Sequence, residues 1–352
     1  MLRQAKVAAL GLLRSVGCFE LVANSRWRRQ RLLILCYHGT SLSDEHQWRP
    51  RLYMSPQQLD QRLESIERLR CSVLPLDDAL QRLKARALPP RSVAITFDDG
   101  TYDFYKQAYP LLRKRGFPVT VYQTTYYSDY QAPVFNLICS YMLWKKRNDR
   151  LAPVPELGLN EPLDLRTEAS RHRIVRALIE RSERDNLTGA DKNNIAEQLA
   201  GALGIDYATL SASRILQLMN AQEVAEIARN GVDVQLHTHR HRTPEEEAPF
   251  RREIADNRSR IQALTGKSAS HFCYPSGIYR EQFFGWLKSE HVNSATTCDA
   301  GLASHKNNPY LLPRFVDTSG RTQLEYESWL SGVGSMLAVR RVAPQQYVLP
   351  ED

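Results

Sequence analysis

The run AITFDDG, Ala94 to Gly100, ends an apolar, strand-like stretch in two adjacent carboxylates, Asp98 and Asp99. Neighbouring carboxylates repel, so a stable arrangement calls for a partner cation or ample water. A second polar cluster, HTHRH, sets His237, His239 and His241 directly after the apolar run VDVQL. His237 and His241 are four apart, so one turn of helix would put both imidazoles on one face, within reach of one ion. One carboxylate of the DDG would complete a three-ligand site open to water, and its neighbour could act as a base. Two histidines and one aspartate suit a hydrolytic divalent metal, zinc first, with iron, cobalt or manganese as alternatives. Alone, an HxxxH is most often a solvated helix face and a DDG a turn. Their joint position at two strand ends favours the metal.

The elements that must position these residues alternate in type. LLILCYH (Leu32 to His38) reads as a buried first strand. The stretch from Ser55 follows as a helix, with Ser55 as N-cap, Pro56 at the first helical position and Leu59, Leu63 and Ile66 on one face. Strand patterns return in CSVLPL, SVAITF, PVTVYQT, VDVQL, HFCYP, VNSATT and YLLPRF, with helical patterns between most of them. This alternation predicts an α/β fold with a mostly parallel sheet or barrel and helices outside. From residue 127 to 218 the rhythm lapses into charged helical sequence, read as an inserted helical subdomain. In a parallel fold the residues past the strands' C-terminal ends share one rim, where active sites form. Those strand ends carry His38, Asp98 and Asp99, the HTHRH run, YPSG (Tyr274 to Gly277), Asp299 and Arg314.

The combination TFDDG, HTHRH and YPSG, joined to an early CYHG and a late LLPRF, resembles the polysaccharide deacetylases, the NodB-homology carbohydrate esterases. The likeness runs from about Leu32 to Arg314. It implies a distorted (β/α) barrel, commonly of seven parallel strands, that hydrolyses N-acetyl or O-acetyl groups on sugars with a divalent metal. Carried over by position, Asp98 is the general base, Asp99, His237 and His241 are the metal ligands, and Thr238 matches the Ser or Thr after the first histidine. The implied chemistry is attack of a metal-bound water on the acetyl carbonyl, with Asp98 taking the proton and a backbone N–H near Pro275 and Ser276 facing the oxyanion. N-acetyl is the first expectation for the group removed. The expected organisation is an N-terminal helix over 1–30, a barrel over 31–335 that includes the insertion 127–218, and a tail over 336–352.

Two departures from the family pattern bear on mechanism. An arginine often precedes the third-motif proline by two residues; here that position is Cys273, and Arg314 is expected to reach the same carboxylate from another strand. The acid histidine of the last motif is absent, leaving His38, His239, His271 and His305 as candidates, with His38 first because it ends the first strand. Tyr126, in the aromatic run TTYYSDYQAPVF, and Tyr274 are candidate sugar contacts. The substrate could be an acetylated polysaccharide or a lipid-linked sugar. The rival reading is a noncatalytic glycan-binding or scaffold protein built on the same barrel.

The chain has 352 residues, with 47 Lys and Arg against 39 Asp and Glu, a formal charge of +8. Such an excess attracts anionic lipid, nucleic acid or acidic glycan; the basic residues accompany no recognition motif, so nucleic acid is not expected as a partner. Six scattered cysteines without a CxxC pair suit reduced thiols, hence a cytoplasmic protein, with peripheral contact at the inner membrane as an option. Arg14 and Glu20 interrupt the apolar N-terminus before it reaches spanning length. Val7, Leu10, Leu13, Val16 and Leu21 recur at roughly helical spacing ahead of RWRRQR. An interfacial helix, an ordinary packing helix and an atypical signal peptide all stay open there.

Overall fold

The structure, a computed structural model, describes residues 2–337. Seven parallel strands close into a ring: β1 (Arg31–Tyr37), β2 (Ser92–Phe97), β3 (Thr120–Gln123), β4 (Asp233–Leu236), β5 (His271–Cys273), β6 (Ser294–Ala300) and β7 (Leu312–Val316). Each pairs with the next in sequence, and β1 pairs with both β2 and β7. The expected (β/α) barrel of seven strands is therefore the fold. The ring is distorted: β4 and β5 share the single register pair Leu236 and Phe272, and the β6–β7 register shifts between Thr296 and Ala300.

The continuous apolar runs follow from burial on both sides, inward into the barrel and outward against helices. In β1, Leu32 and Ile34 join Ala94, Tyr122, Cys273 and Leu312 in one buried cluster, while Leu33, Leu35 and Tyr37 join the larger core. Helix Leu76–Ala85 adds Leu76, Ala79 and Leu83 to the first cluster, beside Leu32 and Ala303, and so packs at the strands' N-terminal ends. The hydroxyl of Ser55 accepts the Gln58 amide and caps helix Pro56–Arg68, and Leu59, Leu63 and Ile66 are its buried face.

Between β3 and β4, helices Phe135–Lys145, Glu168–Arg184, Gly189–Ala202 and Tyr207–Ala212 form a subdomain with its own core of Ile138, Met142, Leu178 and Leu199. A short antiparallel pair, Arg150–Leu151 with Leu163–Asp164, belongs to it too. The subdomain is tied to the chain just after the two carboxylates: Tyr102 N donates to Gln217 O (2.9 Å) and Met219 N to Gly100 O (3.0 Å). It therefore rises at the C-terminal rim. Of the expected tail 336–352, residues 338–352 lie outside the described residues.

Candidate active site

Asp98 and Asp99 diverge. The Asp98 amide donates to the Tyr37 carbonyl (2.9 Å) and keeps the end of β2 against β1. Asp99 and Gly100 then take φ of 71° and 76°, a left-handed kink. Only glycine fits at position 100, where a Cβ would collide with the Gln123 amide. Asp98, just before the kink, points into the barrel, and Asp99, within it, meets the histidines.

Inside the barrel Arg314, fully buried on β7, grips Asp98 with both terminal nitrogens, Nη1 to Oδ1 and Nη2 to Oδ2, each at 2.7 Å. Its Nε donates to the Thr297 carbonyl (3.0 Å), which fixes the plane of the fork. Cys273 Sγ and Cys36 Sγ lie 3.4 and 3.5 Å from Asp98 Oδ2. Burial pushes both thiols up despite the nearby guanidinium, so they stay protonated and donate. Burial would raise the Asp98 carboxyl as well, but Arg314 reverses this and holds it well below the usual carboxylate range. His38, at the end of β1, brings Nε2 to 3.7 Å from Asp98 Oδ2.

On the open side, Asp99 Oδ1 lies 3.2 Å from His237 Nε2 and 3.3 Å from His241 Nε2. One ligand atom from each of the three residues falls within 4.8 Å of the other two. His237 Nδ1 is 2.9 Å from the Cys273 carbonyl, which can only accept; this ring nitrogen carries the proton and Nε2 presents its lone pair to the cluster. Donor set, tautomer and spacing thus suit a divalent cation. Burial raises the Asp99 carboxyl; imidazoles that donate from Nε2 in place of binding a cation more than offset it and leave it well below the ordinary value.

HTHRH is not the helical turn its spacing suggests. It is a bend in which Thr238 and His241 both take φ of 61°. Arg242 N donates to Thr238 Oγ1 (2.9 Å) and closes the bend, so the four-residue spacing works by a loop instead of a helix face. Two residues of helix Glu247–Thr265 pin it. Asn257 Oδ1 accepts the His237 amide (3.0 Å) while its Nδ2 donates to Gln123 O (3.0 Å) and Thr125 Oγ1 (2.9 Å). Glu253 Oε2 accepts the Arg240 amide (2.7 Å). Neither was singled out above, yet Asn257 carried a signal: it interrupts the apolar stripe Phe250, Ile254, Ile261 with a polar, fully buried side chain.

The remaining expected residues are placed unevenly. Tyr274 is 1% exposed and donates its hydroxyl to the Tyr310 carbonyl (3.1 Å), so its ring offers no face to a sugar. Pro275 is buried too, and only Ser276, at φ 55°, is exposed in that turn. Tyr126 is half-buried at the rim, with the Arg240 guanidinium 5.3 Å above its ring and His239 edge-on at 5.5 Å. His239 Nδ1 is engaged by Thr125 Oγ1 (2.9 Å), away from the carboxylates. His271 sits at the start of β5 with Ser294 and Asp77, and His305 follows the pair that joins the start of β1, so both lie at the far end of the barrel.

Comparison with known proteins agrees with this geometry. The family model described as polysaccharide deacetylase matches residues 85–148 and 191–292, interrupted inside the helical insertion. No curated protein matches the chain. Among solved structures, the Streptococcus pyogenes deacetylase PplD in complex with acetate is similar at 17% identity and a TM-score of 0.56, over 86% of this chain and 98% of that one. IcaB from Ammonifex degensii is similar at 16% identity and a TM-score of 0.52, over 86% and 97%. BC0361, a polysaccharide deacetylase from Bacillus cereus, follows at 14% and 0.53, over 86% and 69%. With the barrel, the two motif-bearing strand ends and the family model in agreement, this chain belongs to the polysaccharide deacetylase family.

Proposed function

We propose that the protein is a metal-dependent hydrolase that removes acetyl groups, N-acetyl first, from an acetylated glycan. The observation that carries this reading is the division of labour between adjacent carboxylates. Asp99 completes a three-ligand cluster with His237 and His241, while Asp98, held ionised by Arg314, keeps a carboxylate oxygen within 4.8 Å of a His237 ring nitrogen. A purely structural metal site has no use for that second carboxylate.

Asp99, His237 and His241 would hold the cation. When bound, it supplies Lewis-acid polarisation of the acetyl carbonyl and acidification of the attacking water. Asp98 accepts the proton from that water. Because its carboxyl is held so far below the ordinary value, it is a weak base on its own and depends on a water acidified in this way. Arg314 and the two thiols fix the carboxylate's direction. The Ser276 amide, in the exposed turn after β5, is assigned to the developing oxyanion. His38 is assigned the acid role: it donates a proton to the nitrogen as the C–N bond breaks, releasing acetate and a free amine. Tyr126, beside Arg240 on the rim, is assigned to the sugar.

The test is acetate release by purified protein from N-acetylated and O-acetylated glycans, with zinc, cobalt or manganese added back after chelation. Release that depends on added metal supports the reading. Glycan binding without release from any acetylated substrate would overturn it in favour of a noncatalytic barrel.

A further inference from the structure

Six large hydrophobic side chains are exposed among the described residues, and they fall in two places. Tyr130 and Tyr279 flank the candidate site, where Tyr130 packs on Tyr126 and Tyr279 on Tyr274. Leu12 (66% exposed), Val16 (60%), Leu21 (71%) and Met336 lie on the N-terminal helices, on the turn between them and on the short helix Val333–Met336, which packs against Cys18–Asn24.

Helix Leu2–Ser15 is apolar on two sides. One side is spent on the barrel: Leu10 and Leu13 pack with Phe19, Val22, Leu324 and Val333, and Arg14 pairs with Glu327 at 2.9 Å. The other side carries Ala5, Ala8, Ala9 and Leu12 and continues to Val16, at helical spacing and all exposed. A helix that only covers a barrel needs a single apolar stripe, so the second stripe is surplus to the fold.

No helix among the described residues is long and apolar enough to cross a membrane. The two N-terminal helices bend by 73° at their junction, where Gly17 takes φ 78°. The chain beyond them is anchored by Arg28, fully buried, which donates to the carbonyls of Arg31 (2.8 Å), Ser92 (3.1 Å) and Leu330 (3.4 Å). The pair therefore lies along the barrel surface. The N-terminal segment is basic: residues 1–31 hold seven cations, of which Arg28 is buried and Arg14 is paired with Glu327, and one acid, Glu20, which is engaged by Arg91 at 2.6 Å. Arg26 and Arg29, on the short helix Arg26–Arg29 that follows and packs against Cys18–Asn24, remain exposed.

We infer that this outer face, centred on Leu12, Val16 and Leu21 and bordered by Arg26 and Arg29, docks on an anionic lipid surface. The apolar side chains enter the interface while the arginines meet headgroup phosphates. This placement is independent of the reaction assigned to the barrel.

The test is flotation of the full chain with vesicles of phosphatidylcholine alone or mixed with phosphatidylglycerol. Binding is expected to the mixed vesicles only and to weaken with salt. The paired variant Leu12→Asp/Val16→Asp should bind at least about tenfold more weakly, as should Arg26→Glu/Arg29→Glu, which alters only exposed charge. An unchanged melting temperature in each variant confirms that the fold is intact. Equal binding to neutral vesicles, or undiminished binding of Arg26→Glu/Arg29→Glu, would overturn the proposal. So would a dimer of the parent protein that Leu12→Asp/Val16→Asp converts to monomer without any vesicle binding by the parent, since the face would then meet a second copy.

Discussion

Arg314 and Asp98 face each other as a bidentate pair inside the barrel, reaching from β7 to the end of β2 with both nitrogen–oxygen distances at 2.7 Å. A buried pair of this kind is costly to break from either side, because the remaining charge is left desolvated. Asp98 is depressed in the folded state, so its contribution to stability is present above about pH 4, the ordinary carboxylate value, and is lost only as pH falls further through its folded value. Removing the guanidinium leaves burial as the dominant influence and reverses the sign. Arg314→Ala should therefore lower stability by about 3 to 5 kcal/mol and move the acidic limb of the acetate-release profile upward toward neutral pH. A parent-like melting temperature and pH profile would show that the pair does neither.

Asp98→Asn separates chemistry from metal binding. Asn can still accept from Arg314 through its carbonyl oxygen but cannot take a proton from water. Acetate release should fall about 10²- to 10⁴-fold while bound metal stays near one equivalent. A drop in melting temperature is also expected, since Arg314 loses its counter-charge in a dry site. Full activity would mean that Asp98 is not the base.

The ligand cluster makes a prediction that needs no substrate. Added zinc should raise the melting temperature of the parent protein, because a ligand that binds only the folded state stabilises it by mass action. His237→Ala and His241→Ala should each lose the shift and about one equivalent of metal, since an open three-ligand site tolerates loss of a ligand poorly. An undiminished zinc shift in both variants would place the metal elsewhere.

Why the sequence exposed this much of the site, and no more, has a physical basis. Parallel strands deliver their C-terminal ends to one rim, so polar residues that end apolar runs can be grouped from sequence alone; Asp98, Asp99, His237 and Arg314 are of this kind. Backbone handedness is not legible that way. The spacing of His237 and His241 fits a helix and a bend equally well, and the bend rests on left-handed Thr238 and His241, of which the β-branched threonine is a type that rarely adopts that conformation. Tyr274 reads as a rim aromatic, yet packing against Phe272 and Tyr279 buries it. Asn257 was open to detection, because a polar residue in a helix's apolar stripe must find buried partners.

Asp103 should shape the stability curve between about pH 4 and pH 8. It is buried at the rim, where Oδ1 accepts the Thr40 amide (2.9 Å) and the Thr101 hydroxyl (3.0 Å), and burial with Glu45 nearby pushes its carboxyl up to about 8. A raised carboxyl contributes fully below its unfolded value of about 4, and that contribution is lost as pH rises to about 8. Asp103→Asn keeps an acceptor for both donors without the charge. Denaturant melts should show the variant gaining on the parent from pH 6 to about pH 9, by at least about 1 kcal/mol. A constant difference across that range would mean that Asp103 does not titrate there.

Cys273 and Arg314 occupy one space from two strands. Family members often carry an arginine at the position of Cys273, whose Sγ here lies 3.1 Å from Arg314 Nη2 and 3.4 Å from Asp98 Oδ2. A second guanidinium cannot enter while Arg314 remains, so Cys273→Arg alone should overpack the barrel and bury an unpaired cation, costing about 3 kcal/mol or more. Arg314→Ala alone vacates that volume and strands Asp98. Combined, Cys273→Arg/Arg314→Ala should return a guanidinium to the same carboxylate from β5 in place of β7. Urea melts of the four proteins should then give a coupling of about 2 to 3 kcal/mol in favour of the double variant. Its acetate release should exceed that of Arg314→Ala by about tenfold or more, with the acidic limb of the pH profile moved back down, because a cation again favours ionised Asp98. Additive losses in stability and activity would show that the two positions do not exchange one role.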